Sequence, residues 1–278
     1  MISASFYWVG SEAATKGVRP TYYYTFNNGI DITTRLSVVK NWLTLPEDKR
    51  PHLITFYLPQ VDHEEHNHGP VSKEAGDAVH LVDDCIGRMV RMTDSLHLPV
   101  NYIFVSDHGM AQIDTTGTAL SLPSIIDTSK FVMAGSNIIM HLYAKNKSDV
   151  NAAYKALQQH TDNYNVYLAA ETPARWHYSA QDDRYNRLGN IIMAAKYPKV
   201  MHFDNMIFGP GNHGAHGYDN DLPDLQATFY AWGPAFKQHI QIQPFDNVDV
   251  YPLIAKILGL RIDEKIDGNL DRLGAVLK

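Results

Sequence analysis

Val100-Asn-Tyr-Ile-Phe-Val105 runs without a break into Ser106-Asp-His-Gly-Met110. The first six residues are mostly apolar, aromatic or β-branched, which predicts a short strand buried in a sheet. The next five bring a carboxylate, an imidazole and a glycine to the end of that strand. Open α/β sheets place their ligands there, beyond the carboxyl ends of the strands. Working outward, the pattern recurs. His52-Leu-Ile-Thr-Phe-Tyr-Leu58 predicts a second buried strand, and Asp62-His-Glu-Glu-His66 follows it within an expected loop at 59–70. Between the two strands Ala75, Val79, Val82, Ile86, Met89 and Val90 recur at three or four residues, predicting a helix with one buried face that ends by Pro99. Leu36, Val39, Trp42 and Leu43 predict a helix over Ile32–Leu43, stopped by Pro46. Further strands are expected at 138–144, 166–170, 191–195 and 226–232, and a helix at 149–159. A last helix is expected over Val248–Leu258, with Gly259 at its C′ position. This order predicts an α/β layered fold with a largely parallel sheet.

Composition narrows the function classes. The chain has 278 residues, with 24 Lys and Arg against 30 Asp and Glu, a net charge of −6. At about 150 residues per domain, that length suits one large domain or two small ones. A general nucleic-acid binder needs a basic footprint, and no such cluster exists. The single Cys85 excludes a disulfide framework and any Cys-rich zinc module. No apolar run is long enough to span a bilayer. Met1–Trp8 lacks the basic start and apolar stretch of a signal peptide, so a periplasmic or secreted location would require one upstream of Met1.

The chemistry lies in three clusters among 14 histidines. Asp62 and His66 are four apart and share one side of a helical turn. Asp107 and His108 are adjacent, so they serve one metal only on irregular backbone, which Gly109 supplies. The third cluster is Gly211-Asn-His213-Gly-Ala-His216-Gly-Tyr-Asp-Asn220, whose glycines allow close approach. Carboxylate and imidazole together suit zinc, or manganese and iron where His is fewer. Five such ligands at strand ends point to two metals, the arrangement that clamps the attacking and leaving oxygens of a phosphoryl group. The plainer reading of Asp107-His108 is a turn with an N-cap Asp. His52, His80, His97, His141, His160, His177, His202 and His239 stand isolated, and His63 and His68 merely neighbour the candidates. A His-Glu-x-x-His protease is disfavoured because position 67 is Asn and position 62 is Asp. Neither a Gly-x-Ser-x-Gly elbow nor a phosphate-binding Walker loop occurs.

These residues resemble the nucleotide pyrophosphatase/phosphodiesterase family of the alkaline-phosphatase superfamily. The matching stretches are Trp8-Val-Gly-Ser-Glu12, Trp42-Leu-Thr-Leu-Pro46 with Arg50-Pro51, Asp62-x-x-x-His66 with Gly69-Pro70, Val82-Asp83 with Ile86-Gly87, Ser106-Asp-His-Gly-Met110, His216-Gly-Tyr-Asp-Asn220 and Gly233-Pro-Ala-Phe236. They stand in family order across nearly the whole chain. The resemblance implies an alkaline-phosphatase-like layered sandwich, with a mostly parallel central sheet and helices on both faces. It implies one catalytic domain over 1–278, one zinc held by Asp62, His66 and His216, and a second held partly by Asp107 and His108. It implies hydrolysis of a phosphodiester or nucleotide substrate through a covalent phospho-threonine. Phe26 lies about where the family stacks an aromatic on a nucleotide base, and Trp8 and Tyr23 are candidate neighbours for the substrate.

The departures set three alternatives. The family's first Asp ligand, Thr nucleophile and phosphate-holding Asn lie upstream of the Trp-x-Gly-Ser-Glu segment, where this sequence has seven residues. Ser106 has no support as a replacement nucleophile. The chain is therefore expected to be the larger part of a phosphodiesterase lacking its N-terminal segment, a metal-binding pseudoenzyme or interaction module on that scaffold, or another metalloenzyme of the superfamily. Loss of an early strand would leave an exposed sheet edge and favour self-association.

Overall fold

In the computed structural model, the structure describes residues 1–114, 120–121, 126–202 and 212–278. The elements run β1 (Ser3–Phe6), β2 (Tyr22–Tyr24), α1 (Ile32–Leu43), β3 (Leu53–Phe56), α2 (Gln60–His68), α3 (Lys73–Ser95) and β4 (Tyr102–Val105). There follow β5 (Ala111–Gln112), β6 (Leu120–Ser121), β7 (Phe131–Gly135), β8 (Ile139–Ala144), α4 (Val150–Gln158), β9 (Tyr164–Leu168) and β10 (Ile191–Ala195). The chain closes with β11 (Met201–His202), β12 (Gly214–Ala215), β13 (Phe229–Trp232) and α5 (Val250–Ile257). They divide into two compact units: Met1–Val61, Ala78–Asp107 and Ala227–Lys278 form the first, Asp62–Asp77 and His108–Gln226 the second.

The first unit holds parallel pairing, though two of the three strands in it, β1 and β2, are not among the expected ones. Its three-stranded sheet has the order β2-β1-β3, parallel throughout. Phe6 and Tyr7 are buried at the end of β1 against Val39, Trp42 and Leu43 of α1. α1 starts where Asp31 accepts a hydrogen bond from the Thr34 amide at 3.0 Å, satisfying one of its orphan donors. β4 pairs antiparallel with β13, and Ile103, Val105, Phe229 and Ala231 pack with Leu253 of α5. Gly259 ends α5 at φ 66°, as expected of a C′ residue.

The buried face of α3 is rotated from the expected one. Ala75, Ala78, Val82 and Cys85 are buried, while Val79 is 49% exposed. Successive helical residues are turned about 100° apart, so Val79 lies off the line through Ala75, Ala78 and Val82. Alanines fill that line, and their small side chains are poor markers of periodicity.

The second unit is built on an antiparallel sheet of order β7-β8-β10-β9. β10 is buried along its whole length, and Met140, Leu142, Leu157, Ile191 and Met193 form the centre of its core. α4 packs over this sheet through Leu157. Leu142 has no solvent exposure. Leu142→Ala is expected to cost about 2–5 kcal/mol through lost transfer energy and a cavity. The check is a lower urea midpoint at unchanged m-value; a loss under about 1 kcal/mol would contradict this packing. Beside this sheet, β12 pairs with β5 and holds the Gly-rich loop against α2.

Candidate metal centre

The expected loop at 59–70 is mostly the helix α2, which carries both Asp62 and His66. It has no buried residue, so no apolar stripe marked it in the sequence. The i,i+4 spacing brings His66 Nε2 to 3.5 Å from Asp62 Oδ1. His216 reaches the same carboxylate oxygen from the loop after β12, with Nε2 at 3.8 Å. That oxygen is buried and accepts no hydrogen bond from the described residues. The His108 ring stacks on that of His216 with centroids 3.6 Å apart and planes at 16°. Asp62, His108 and His216 each turn one ligand atom into a space where all three lie within 4.8 Å of one another. All of these residues belong to the second unit.

The backbone aims the rings. His66 Nδ1–H donates to the Gly214 carbonyl at 2.9 Å, which leaves the Nε2 lone pair toward Asp62. His108 Nδ1–H donates to the Gly109 carbonyl at 3.0 Å, fixing the same tautomer. The His213 amide donates to the His66 carbonyl at 2.8 Å, so His213 serves through its main chain. Glycine is needed at two of these points for space. A Cβ on Gly214 would stand 2.3 Å from the Glu65 carbonyl oxygen, and one on Gly109 would stand 2.2 Å from that of Asp224. The expectation for Gly109 was irregular backbone; what it supplies is room for the 224–226 segment.

Glu65 is a member the sequence reading missed. Burial, and then the Asp62 carboxylate, push its carboxyl above the usual range, against opposing pulls from His108 and His66. It lies inside the Asp-His-Glu-Glu-His motif, but nothing in the spacing separates it from Glu64.

The remaining candidates belong to the first unit. Asp107 closes a segment of the first unit, where Asn247 Nδ2 donates to its carbonyl oxygen at 3.4 Å. Trp8, Tyr23 and Phe26 also belong to the first unit. There the Phe26 and Trp8 rings stand 6.4 and 6.3 Å from that of Tyr57, while Phe26 keeps 49% exposure. Tyr23 faces outward from the edge strand β2, whereas Tyr24 stacks on Phe6 and Tyr22 on Trp42. Gly211 and the His202 side chain lie outside the described residues.

Comparison with known proteins gives this geometry a context. A family model described as type I phosphodiesterase / nucleotide pyrophosphatase matches residues 1–219. Bovine ectonucleotide pyrophosphatase/phosphodiesterase family member 3 is 29% identical over 268 residues, which cover 92% of this chain and 30% of that protein. A venom phosphodiesterase of Macrovipera lebetinus is 30% identical over 268 residues, 93% of this chain and 31% of that one. The chain thus spans about a third of the length of these relatives. Among solved structures, human ectonucleotide pyrophosphatase/phosphodiesterase 5 superposes with a TM-score of 0.87 at 25% identity, over 99% of this chain and 71% of that one. The murine counterpart, inactive and in complex with AMP, gives 0.88 at 27% identity, over 100% and 72%. No helix among the described residues is long and apolar enough to cross a membrane.

Proposed function

Because the chain belongs to the type I phosphodiesterase / nucleotide pyrophosphatase family, we propose that its Asp62–His66–His108–His216 cluster is the metal centre of a phosphodiester or pyrophosphate hydrolase acting on nucleotides. The observation that carries this reading is the Asp62 carboxylate oxygen. It is buried, lacks a hydrogen-bond donor among the described residues, and is faced by two imidazole Nε2 atoms at 3.5 and 3.8 Å. A carboxylate oxygen shielded from water in this way and left without a donor favours a cation beside it, although the Asp62 side chain as a whole stays partly exposed. The donor set fits one: mixed oxygen and nitrogen ligands suit zinc, with manganese as the harder competitor.

Asp62, His66 and His216 would hold one ion. His108 would hold part of a second, which the resemblance implies. Bound there, the metals supply Lewis-acid neutralisation of charge on non-bridging phosphoryl oxygens. The chain's own residues prepare that role. Gly214 and Gly109 fix the imidazole tautomers, so the nitrogen lone pairs need no reorganisation. The compact charge also explains how a chain of net charge −6 would accept an anionic substrate: local field, not net charge, governs binding in the site. AMP in the murine relative supports a nucleotide as the substrate class.

The test is elemental analysis of the purified protein together with turnover of an aryl phosphodiester. At least one zinc or manganese per chain is expected, removed by a chelator and restored by added zinc, and any turnover should follow the metal. Less than one metal per chain, or turnover indifferent to the chelator, would overturn the metal reading.

A further inference from the structure

The loop that carries His216 continues as Gly217-Tyr-Asp-Asn220, and these residues line a groove of about 270 Å³ in the second unit. Trp176 and Tyr178 line it as well, together with Ile139 and Ala194, direct cross-strand partners on β8 and β10. The polar edges of the aromatic residues are anchored in the protein. Trp176 Nε1 donates to Asp219 Oδ1 at 3.2 Å, and Arg175 donates to Asp219 Oδ2. Asn220 Nδ2 donates to the Arg175 carbonyl at 3.3 Å, and Thr172 Oγ1 to the Tyr178 carbonyl at 2.7 Å. The Tyr178 hydroxyl lies 3.4 Å from Nε2 of buried His141, whose Nδ1–H donates to the Leu188 carbonyl. Tyr218 donates to the Lys199 carbonyl at 2.9 Å. Burial would raise the Asp219 carboxyl, but its bonds to Arg175, the Asp221 amide and Trp176 hold it below the usual carboxylate range. The tie between the two segments therefore persists at neutral pH and loosens only as pH falls through that depressed value.

Charge decides what such a groove takes. The Arg175 guanidinium is engaged by Asp219 and Asp221, the latter at 2.6 Å. Among the described lining residues this leaves no spare cation to hold a phosphate and no uncompensated carboxylate to hold an ammonium ion. What remains is aromatic surface and the Asn220 amide oxygen, in a volume just below the usual range for drug-sized ligand sites, enough for a single ring system. That combination suits a planar, neutral heteroaromatic ring bearing N–H donors.

We propose that this groove binds the heteroaromatic base of a nucleoside or nucleotide. Its role in catalysis rests on the phosphodiesterase reading of the neighbouring metal centre; its binding chemistry does not. The anchored walls make the site preformed, so little ordering entropy opposes binding.

The experiment titrates chelator-treated protein with adenosine, which carries no phosphate, by calorimetry. Saturable binding is expected for the wild type. Trp176→Ala should weaken it roughly tenfold or more, the scale of one lost base–aromatic stack. Trp176→Leu keeps apolar bulk at the same position and should weaken binding equally, which covers the case in which the alanine variant misfolds. Trp176→Phe keeps a ring and should stay within about threefold. Leucine binding as well as tryptophan would overturn the proposal, as would tighter binding of choline than adenosine, or adenosine binding removed wholly by Trp8→Ala. Because no metal is present, failure here leaves the metal centre intact, and failure of metal binding leaves this result intact.

Discussion

Replacing His216 by alanine is expected to strip the metal proposed to lie between it and Asp62, and so to lower any diester turnover roughly 10³-fold. The size follows from the several kcal/mol of charge stabilisation that a divalent ion gives a phosphoryl transition state, at about 1.4 kcal/mol per tenfold. The geometry makes the prediction specific to one imidazole. His216 Nε2 faces Asp62 Oδ1 at 3.8 Å. His213, three residues earlier in the same loop, contributes its amide to the His66 carbonyl and its carbonyl to Gln112 Nε2. Both contacts are main-chain on the His213 side, so His213→Ala should leave metal content and turnover near wild type. Asp62→Asn completes the set: it keeps shape and removes charge, and should match His216→Ala. Equal losses from His213→Ala and His216→Ala, read by elemental analysis and kinetics, would show that the loop as a whole matters and that the ligand assignment is wrong.

The contrast between those two histidines also shows what a sequence can carry. Residue type and motif order marked Asp62, His66, Asp107, His108 and His216, and the structure brings all but Asp107 together in the second unit. Likewise α1 is legible to the residue, because a 3–4 apolar spacing and Pro46 act locally, and the structure adds the Asp31 cap. What was lost depends on contacts between distant segments. The helix α2 has no buried face and so no periodicity to detect. β1, β2 and β7 are three to five residues long, and pairing makes them strands. The Gly214 carbonyl that aims His66 is 148 positions away in the chain and is main chain, so no side-chain pattern announces it. The tie from Trp176 to Asp219 spans 43 positions and joins a tryptophan and an aspartate that look unremarkable alone.

That main-chain dependence gives the second large effect, on Gly214→Ala. The added methyl would lie 2.3 Å from the Glu65 carbonyl oxygen and 3.0 Å from the Glu65 carbonyl carbon and Met110 Cγ. Two of those three neighbours are backbone atoms of the helix that carries Asp62 and His66, so no rotamer change relieves the clash. β12 and α2 must separate. Overpacking of this kind costs about 1–3 kcal/mol of stability. The same separation withdraws the Gly214 carbonyl from His66 Nδ1 and strains the adjacent bond from the His213 amide to the His66 carbonyl. With its tautomer and ring plane no longer fixed, His66 should bind metal roughly 10–100-fold more weakly, the usual cost of losing a partner behind a ligand. Leu142→Ala is the control for stability alone, since it empties space in the core of the antiparallel sheet and leaves these bonds in place. Chelator competition on the two variants, at a temperature where both are folded, separates the effects. If Gly214→Ala and Leu142→Ala destabilise to a similar degree, only the glycine variant should lose metal. Unchanged affinity in Gly214→Ala would mean that the carbonyl holds the helix in place without orienting the ligand.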